Sequence, residues 1–394
     1  MMKAVGRISI AIFASVISIA IIVVIVRSND DQENRHYERS ETLLSVANLS
    51  ETPLTLFKAG NTLRDTICLG SIEDTFLWLS PGNYFIGAER VGLFYPISLT
   101  GYRNGPDDDG VFAVTVRTTP REKPPRLLPS SPDFCFVPSG HFLMGDRLNP
   151  REPHYIWLTG YFIASFEVSN AEYNEFFHAA DGFENDEHWT ENGRQWKTSG
   201  RSQASSLLTN RNADSLRFGQ PDHPVTWVNW YEATAYCAWL TARIGGGKWL
   251  FTLPTEAEWE KAARGPDDFD YALGRTISDN EVGLYNWKKN PSAPVTVVGT
   301  NITPSLFAPN RYGLYHLTGN VIEWTTSINL PFNRDHPYQD DERNHKDTPG
   351  LHVVRGGSWY SASIANLSNA YRDAFQPEHS SQETGFRIVA RHLP

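Results

Sequence analysis

The sequence predicts an α+β chain in which a small all-β unit precedes a larger mixed domain, with one apolar span at the N-terminus. Three observations carry this. Ile8–Val26 holds no charge. Residues 41–120 alternate short apolar runs with turn signals and show no helical period. Beyond residue 133, three amphipathic segments each begin with a capping residue and an acid three positions later, the signature of a helix start.

Ile8–Val26 is just long enough to cross a hydrocarbon core of about 30 Å. Lys3 and Arg7 precede it, while Asp30, Asp31 and Glu33 soon outweigh Arg27 behind it. The positive flank predicts a cytoplasmic N-terminus. No small-x-small cleavage site follows the run, so residues 1–27 are expected to form an uncleaved signal-anchor transmembrane helix. Residues 28–40 form a polar stem. The expected location is a single-pass membrane protein whose later domains lie outside the cytoplasm, in the periplasm or at the cell surface. The membrane is then its first partner.

Residues 41–120 contain LLSVANL, TFLWL, NYFIGAERVGLFY and VFAVTVRT, punctuated at Pro53, Gly60-Asn61, Pro81-Gly82-Asn83 and Gly101–Gly110. That spacing predicts a small β-sandwich. No catalytic constellation is visible there, and the Asp107-Asp108-Asp109 run reads as a solvated turn. Residues 121–132 include Pro124, Pro125, Pro129 and Pro132, a semi-extended linker.

The domain expected over 133–394 opens with two strands around the Pro-Ser-Gly turn of Phe134–Gly145. Ser169 with Glu172, Asn229 with Glu232 and Thr255 with Glu258 mark helices over Asn170–Ala180, Trp230–Ile244 and Glu256–Arg264. Gly182, Gly245 and Gly265 supply the stops. In the last helix the acids lead and Lys261 and Arg264 follow, which suits the macrodipole. A Glu260–Arg264 pair is expected one turn apart. The stretches Asp181–Gln220 and Thr326–Pro349 read as long polar excursions. The second holds His336, His345 and His352 with Asp335, Asp340, Asp341 and Glu342. None has the close spacing of a ligand pair, so no metal centre is expected there.

The net charge of −10 and the lack of a basic stripe exclude a nucleic-acid partner. Cys68, Cys135 and Cys237 are odd in number and far apart. They give no disulfide framework. Cys237 lies beside an apolar helix stripe and reads as a small buried hydrophobe.

Asn310–Trp324, NRYGLYHLTGNVIEW, is apolar but broken by Gly313 and Gly319. It predicts a buried irregular loop whose backbone groups must all find partners. Glu323 inside that surround calls for a cation, an arginine or backbone donors.

This stretch, with HPVTWVNWYEATAYCAWL (His223–Leu240), FTLPTEAEWEKAARG (Phe251–Gly265), VVRGGSW (Val353–Trp359) and GFR (Gly385–Arg387), resembles the signature of the formylglycine-generating-enzyme (sulfatase-modifying factor) domain. The resemblance covers about two-thirds of the chain. It implies that family's fold, which is similar to the C-type-lectin-like topology. In the catalytic members a cysteine pair binds copper(I), and oxygen converts a substrate cysteine to formylglycine. The positions of that pair here are Ser361 and Asn366. A soft ion needs soft ligands, so no copper and no formylglycine chemistry are expected. Ile322 stands where the family has an aromatic residue. Arg355, Ser358, Trp359, Arg372 and Arg387 are retained, and with Ser361 and Asn366 they are the expected groove. The resemblance also implies a calcium loop using the His316 side chain, the Gly319 and Val321 carbonyls and Glu323. Imidazole replaces a hard oxygen donor there and weakens it. The expected function is a membrane-anchored binding or assembly module for a peptide or envelope protein. An oxidoreductase like the non-heme-iron or pyoverdine-maturation relatives is the alternative, and carbohydrate binding, by analogy with the C-type-lectin-like topology alone, is a third.

Overall fold

The computed structural model describes residues 123–393, apart from 138–139, 148–152, 200–217, 266–268, 278–308, 333–337, 340–341 and 346–347. Before residue 123 it describes only the backbone of strand segments between Ile22 and Val114. These pair as two four-stranded antiparallel sheets. Most of the expected membrane span and the stem lie outside the described residues. The end of the span belongs to the strand Ile22–Ser28, which pairs with Thr42–Val46 and Val111–Val114. Among the described residues, no helix is long and apolar enough to cross a membrane.

In the C-terminal domain, numbered from its own first strand, the elements are β1 (Phe134–Val137), β2 (Gly140–Met144), β3 (His154–Leu158) and β4 (Tyr161–Ala164), then α1 (Asn170–His178) and α2 (Glu191–Thr198). They continue with α3 (Trp230–Ile244), β5 (Trp249–Thr252), α4 (Glu256–Arg264), β6 (Ile322–Ile328), β7 (His352–Arg355), β8 (Asp373–Phe375), β9 (Thr384–Gly385) and β10 (Val389–His392). One sheet runs β5-β10-β4-β1 and is antiparallel throughout. A second runs β8-β7-β6-β9, with only the β6–β9 pair parallel. β2 and β3 form a separate hairpin.

All three sequence-marked helices carry the reciprocal capping box that their spacing predicts. α3 and α4 match their expected limits; α1 ends two residues earlier, at His178. α2 lies inside a stretch expected to be irregular. Thr190 caps it by accepting from Gly193 N, and Trp196 buries its one apolar stripe.

Strand alternation explains how the core divides. Successive side chains of a strand point to opposite faces. Phe162 and Ala164 of β4 therefore join Phe134, Phe251 and Ala390 in an aromatic-rich core with α1 and α3. Tyr161 and Ile163, between them, face Trp259, Ala262 and Ala263 of α4. Both faces of β4 are covered, so its four residues are all buried. The segment ahead of β1 joins the first core through Leu127. α4 is enclosed on all sides, and even Glu256, Glu260, Lys261 and Arg264 are buried. Burial pulls the Lys261 ammonium down to about 7.

Removing the cap of α3 tests how far this local code sustains the fold. Asn229 Oδ1 accepts from Glu232 N at 2.9 Å, and both residues are buried. Asn229→Ala should cost about 1 kcal/mol and lower the thermal midpoint by about 2–4 °C. An unchanged midpoint in circular dichroism melting would refute the cap's contribution.

Candidate functional site

Asn310–Trp324 is the irregular, buried loop its composition predicts, and its backbone groups find partners in its own Asn310 side chain and in neighbouring segments. Asn310 Oδ1 accepts from Tyr312 N and Leu314 N, while its Nδ2 donates to Ala262 O at 2.7 Å at the end of α4. Tyr315 N donates to Ser165 O. His316 and Asn320 have φ of 61° and 65°, left-handed values that cost a non-glycine residue roughly 1–2 kcal/mol. Glu167 holds both in place. Its Oε1 accepts from Asn320 Nδ2 at 2.8 Å, and its Oε2 lies 3.1 Å from His316 Nδ1. Burial opposes ionisation of Glu167, but the His316 charge and hydrogen bond more than offset it and keep its pKa below the ordinary value.

At the end of the loop, Glu323 enters β6 and meets Arg387. Arg387 Nε donates to Oε2 at 2.6 Å and Nη2 to Oε1 at 2.7 Å. Trp259 Nε1 of α4 adds a third donor at 2.8 Å. The remaining Arg387 hydrogens go to the carbonyls of Ala164, Ser165 and Tyr315. Burial would lower the Arg387 pKa, and the attraction of Glu323 reverses that and raises it.

A second buried set starts from the acids of α4. Glu256 and Glu260 share Arg355 Nη2 at 2.7 and 2.9 Å. Glu256 also binds Arg372, and Glu260 accepts from Arg264 Nε and Gly145 N. Arg264 and Arg355 more than offset the cost of burying Glu260 and lower its pKa. Arg355 Nη1 reaches the carbonyls of Asn369 and Tyr371. The two sets meet at Glu323 and Arg355, which are register partners on β6 and β7.

The glycine turn after β7 rests on this base. Gly356 and Gly357 have φ of 90° and 63°. A Cβ on Gly356 would stand 3.0 Å from the Trp259 ring, and one on Gly357 only 2.6 Å from Asn366 O. Only glycine fits either place. The turn is tied to the loop by Gly319 N donating to Gly356 O and Trp359 N donating to Asn320 O. Ser358 Oγ binds the Glu383 carboxylate and accepts from Tyr360 N.

Ser361 and Asn366 both come to this turn. Ser361 Oγ accepts from Ser358 N at 3.0 Å, and Asn366 presents its carbonyl to Gly357. Both are half-buried. Trp359 is buried beside them. Arg355 and Arg387, expected at the groove, are fully buried beneath it, and Arg372 lies at its partly exposed edge. Of the thiols, Cys135 points at Gly313 O and burial pushes it up to about 11. Cys237 is buried in α3, and burial raises its pKa as well. The Cys68 side chain lies outside the described residues. Among the described residues no group of three or more His, Cys, Asp or Glu side chains is arranged to hold a metal ion. His352 stacks on Trp230 at 3.8 Å and burial lowers its pKa to about 4, whereas His345 is exposed. His336 lies outside the described residues.

Sequence reasoning passed over Glu167, Phe218, Trp227 and Glu383. A lone acid in the apolar run FIASFEV was a usable sign of a buried, partnered carboxylate. Nothing local distinguished the others.

Residues 119–392 match the family described as Sulfatase-modifying factor enzyme 1-like domain. The formylglycine-generating enzyme of Bos taurus is 28% identical over 293 residues, covering 66% of this chain and 74% of that protein. The inactive C-alpha-formylglycine-generating enzyme 2 of Mus musculus is 33% identical over 174 residues, 43% of this chain and 50% of that protein. Among solved structures, Treponema denticola variable protein 1 aligns with a TM-score of 0.47 at 22% identity, over 66% of this chain and 94% of that chain.

The Glu323–Arg387 pair generates a double-mutant test. Glu323→Ala strands a buried guanidinium and should destabilise the domain by about 3–5 kcal/mol. Glu323→Leu with Arg387→Met removes both charges and should recover most of that loss. Denaturant unfolding measures both. Equal losses in the single and double variants would mean the charges are not coupled.

Proposed function

We propose, from the premise that this chain belongs to the sulfatase-modifying factor enzyme 1-like domain family, that its C-terminal domain binds a ligand at the Ser358 turn and does not generate formylglycine. The reading is carried by Ser361 and Asn366. Resemblance to the family puts its copper-binding thiols at these two positions, and here they are a hydroxyl and an amide. Both are hard, neutral groups and poor ligands for copper(I). Ser361 already accepts a hydrogen bond from the turn backbone. Cys135 and Cys237 are held elsewhere as thiols by burial, and a thiol that resists ionisation is a weak ligand.

The glycine turn and the charges beneath it keep a shaped surface available for a peptide, an envelope protein or another ligand. Calcium at the loop is not needed to account for Glu323. Arg387 and Trp259 already donate to both of its oxygens. The Ile8–Val26 span supports a membrane anchor, with the later domains outside the cytoplasm.

The chemistry is tested by incubating the full-length protein with copper, reductant and a cysteine-containing sulfatase peptide, then searching for the aldehyde by mass spectrometry. No aldehyde above a no-enzyme control is expected. Copper-dependent aldehyde would overturn the non-catalytic reading.

Topology is tested with reporters fused after Pro394. A reporter active only outside the cytoplasm should work and a cytoplasmic one should stay silent. The reverse pattern would remove the anchor assignment.

A further inference from the structure

Residues 121–132 read from their prolines as a linker, yet the part just ahead of β1 is built into the domain. Leu127 packs on the first core, and Ser131 is buried. A tight turn shapes this strap. Ser131 N donates to Leu128 O and Leu128 N donates to Ser131 Oγ, both at 3.0 Å. Arg126 Nη1 reaches Ser131 O and lies 3.7 Å from the Asp133 carboxylate. A cavity lies between the strap and the helices. Its lining includes Pro125, Leu127 and Ser131 of the strap, Glu172 of α1, and Tyr236 and Leu240 of α3.

Tyr236 is the unusual wall residue. It is fully buried, and its hydroxyl has no hydrogen-bond partner among the described residues. Tyr173, Phe176 and Phe386 pack around its ring at centroid distances of 6.0, 5.9 and 5.5 Å. That packing accounts for an aromatic ring, and a phenylalanine would satisfy it equally. Leaving a buried hydroxyl unbonded is costly. The hydroxyl therefore calls for an acceptor that the neighbouring side chains do not supply.

The cavity has both the room and the polar groups for one. It offers about 20 Å³ to the centre of a water-sized sphere, which suits a single water molecule and nothing larger. Glu172 Oε2 accepts from Ser169 N at 3.0 Å and Ser169 Oγ at 2.8 Å, and the Ser131 hydroxyl is bonded to the same carboxylate. A carboxylate has about four acceptor positions, so these three donors leave room for another. Glu167 also lines the cavity, but Asn320 and His316 already engage its two oxygens. Burial, with the Glu172 charge adding to it, drives the Tyr236 pKa well up and keeps the phenol a donor. Ser131 Oγ accepts from Leu128 N and has a second acceptor position. A water that accepts from Tyr236 can donate to Glu172 and Ser131, the three bonds usual for a buried water.

We infer that one water molecule is a fixed part of this cavity, accepting from Tyr236 and donating to Glu172, and that it helps clasp the strap to α1 and α3. The proline-rich segment is then the domain's own edge and not a free spacer. The chain arriving from the N-terminal strands is held before it reaches β1. The clasp is independent of what the Ser358 turn binds.

A double-mutant cycle on the full-length protein is the test. It reads the thermal midpoint and the rate of trypsin cleavage after Arg126, an exposed residue of the strap, followed by mass spectrometry. Tyr236→Phe removes only the hydroxyl. It should lower the midpoint and speed that cleavage about fivefold, in keeping with one lost hydrogen bond. Ser131→Ala should speed it as well. The double variant should fall short of the product of the two single effects, because both act on the same water. A midpoint for Tyr236→Phe that stays level or rises means the hydroxyl had no partner to lose, and overturns the inference. Single effects that multiply in full overturn it too, as does cleavage that rises equally at bonds elsewhere in the domain, which is general loosening. A high-resolution crystal structure gives the direct answer. Density for a water within hydrogen-bond distance of Tyr236 Oη is expected, and a dry cavity would refute it.

Discussion

The Glu323–Arg387 pair is the constraint on which the domain's interior depends. Both side chains are buried, and each would be prohibitively costly alone. Together they satisfy one another through two hydrogen bonds, with Trp259 completing the carboxylate and carbonyls of Ala164, Ser165 and Tyr315 completing the guanidinium. The pair thus fixes α4, the end of β4, the irregular loop and β6 relative to the segment before β10. Such a pair adds little net stability over a well-packed apolar replacement. Its value lies in geometry, because a slipped register at β6 would leave two charges unpaired.

The Glu256–Glu260–Arg355 set extends that logic to the glycine turn. Arg355 is the last residue of β7 and is held by two carboxylates of α4. Gly356 follows directly, with the Trp259 ring only 3.0 Å from where its Cβ would stand. The turn is thereby set against α4 by charge on one side of the peptide and by close packing on the other. Two backbone hydrogen bonds then lock it to the loop at Gly319 and Asn320. Ser358 is buried within this turn and Ser361 sits half-buried on it, and the turn has little freedom to adjust.

What the sequence made legible was local. Capping boxes at Ser169, Asn229 and Thr255 announce helix starts within a few residues, and the structure places all three. The glycine-broken apolar loop declared itself by composition. Glu323 announced that it needed a partner, but three kinds of partner stayed open, because Arg387 is 64 residues away in the chain. α2 went unseen since its threonine cap lacks the acid at N3 and its apolar stripe amounts to Trp196. Trp227 gave no sign of its φ of 54°. A positive φ at a tryptophan is imposed by the paths of neighbouring segments, and no propensity scale favours it.

The charge network and the turn chemistry are also separable, and this bears on how such a domain changes use. Positions 361 and 366 touch the glycine turn through one side-chain hydroxyl and one backbone carbonyl. Neither takes part in the ion pairs that hold α4 to β6 and β7. A change of side chain at either position leaves those ion pairs in place, so the scaffold does not depend on them. The reverse does not hold. Loss of Arg355 or Glu323 would unseat the turn whatever side chains it carried. The side chains at the two half-buried positions can therefore change while Gly356-Gly357-Ser358-Trp359 stays in place.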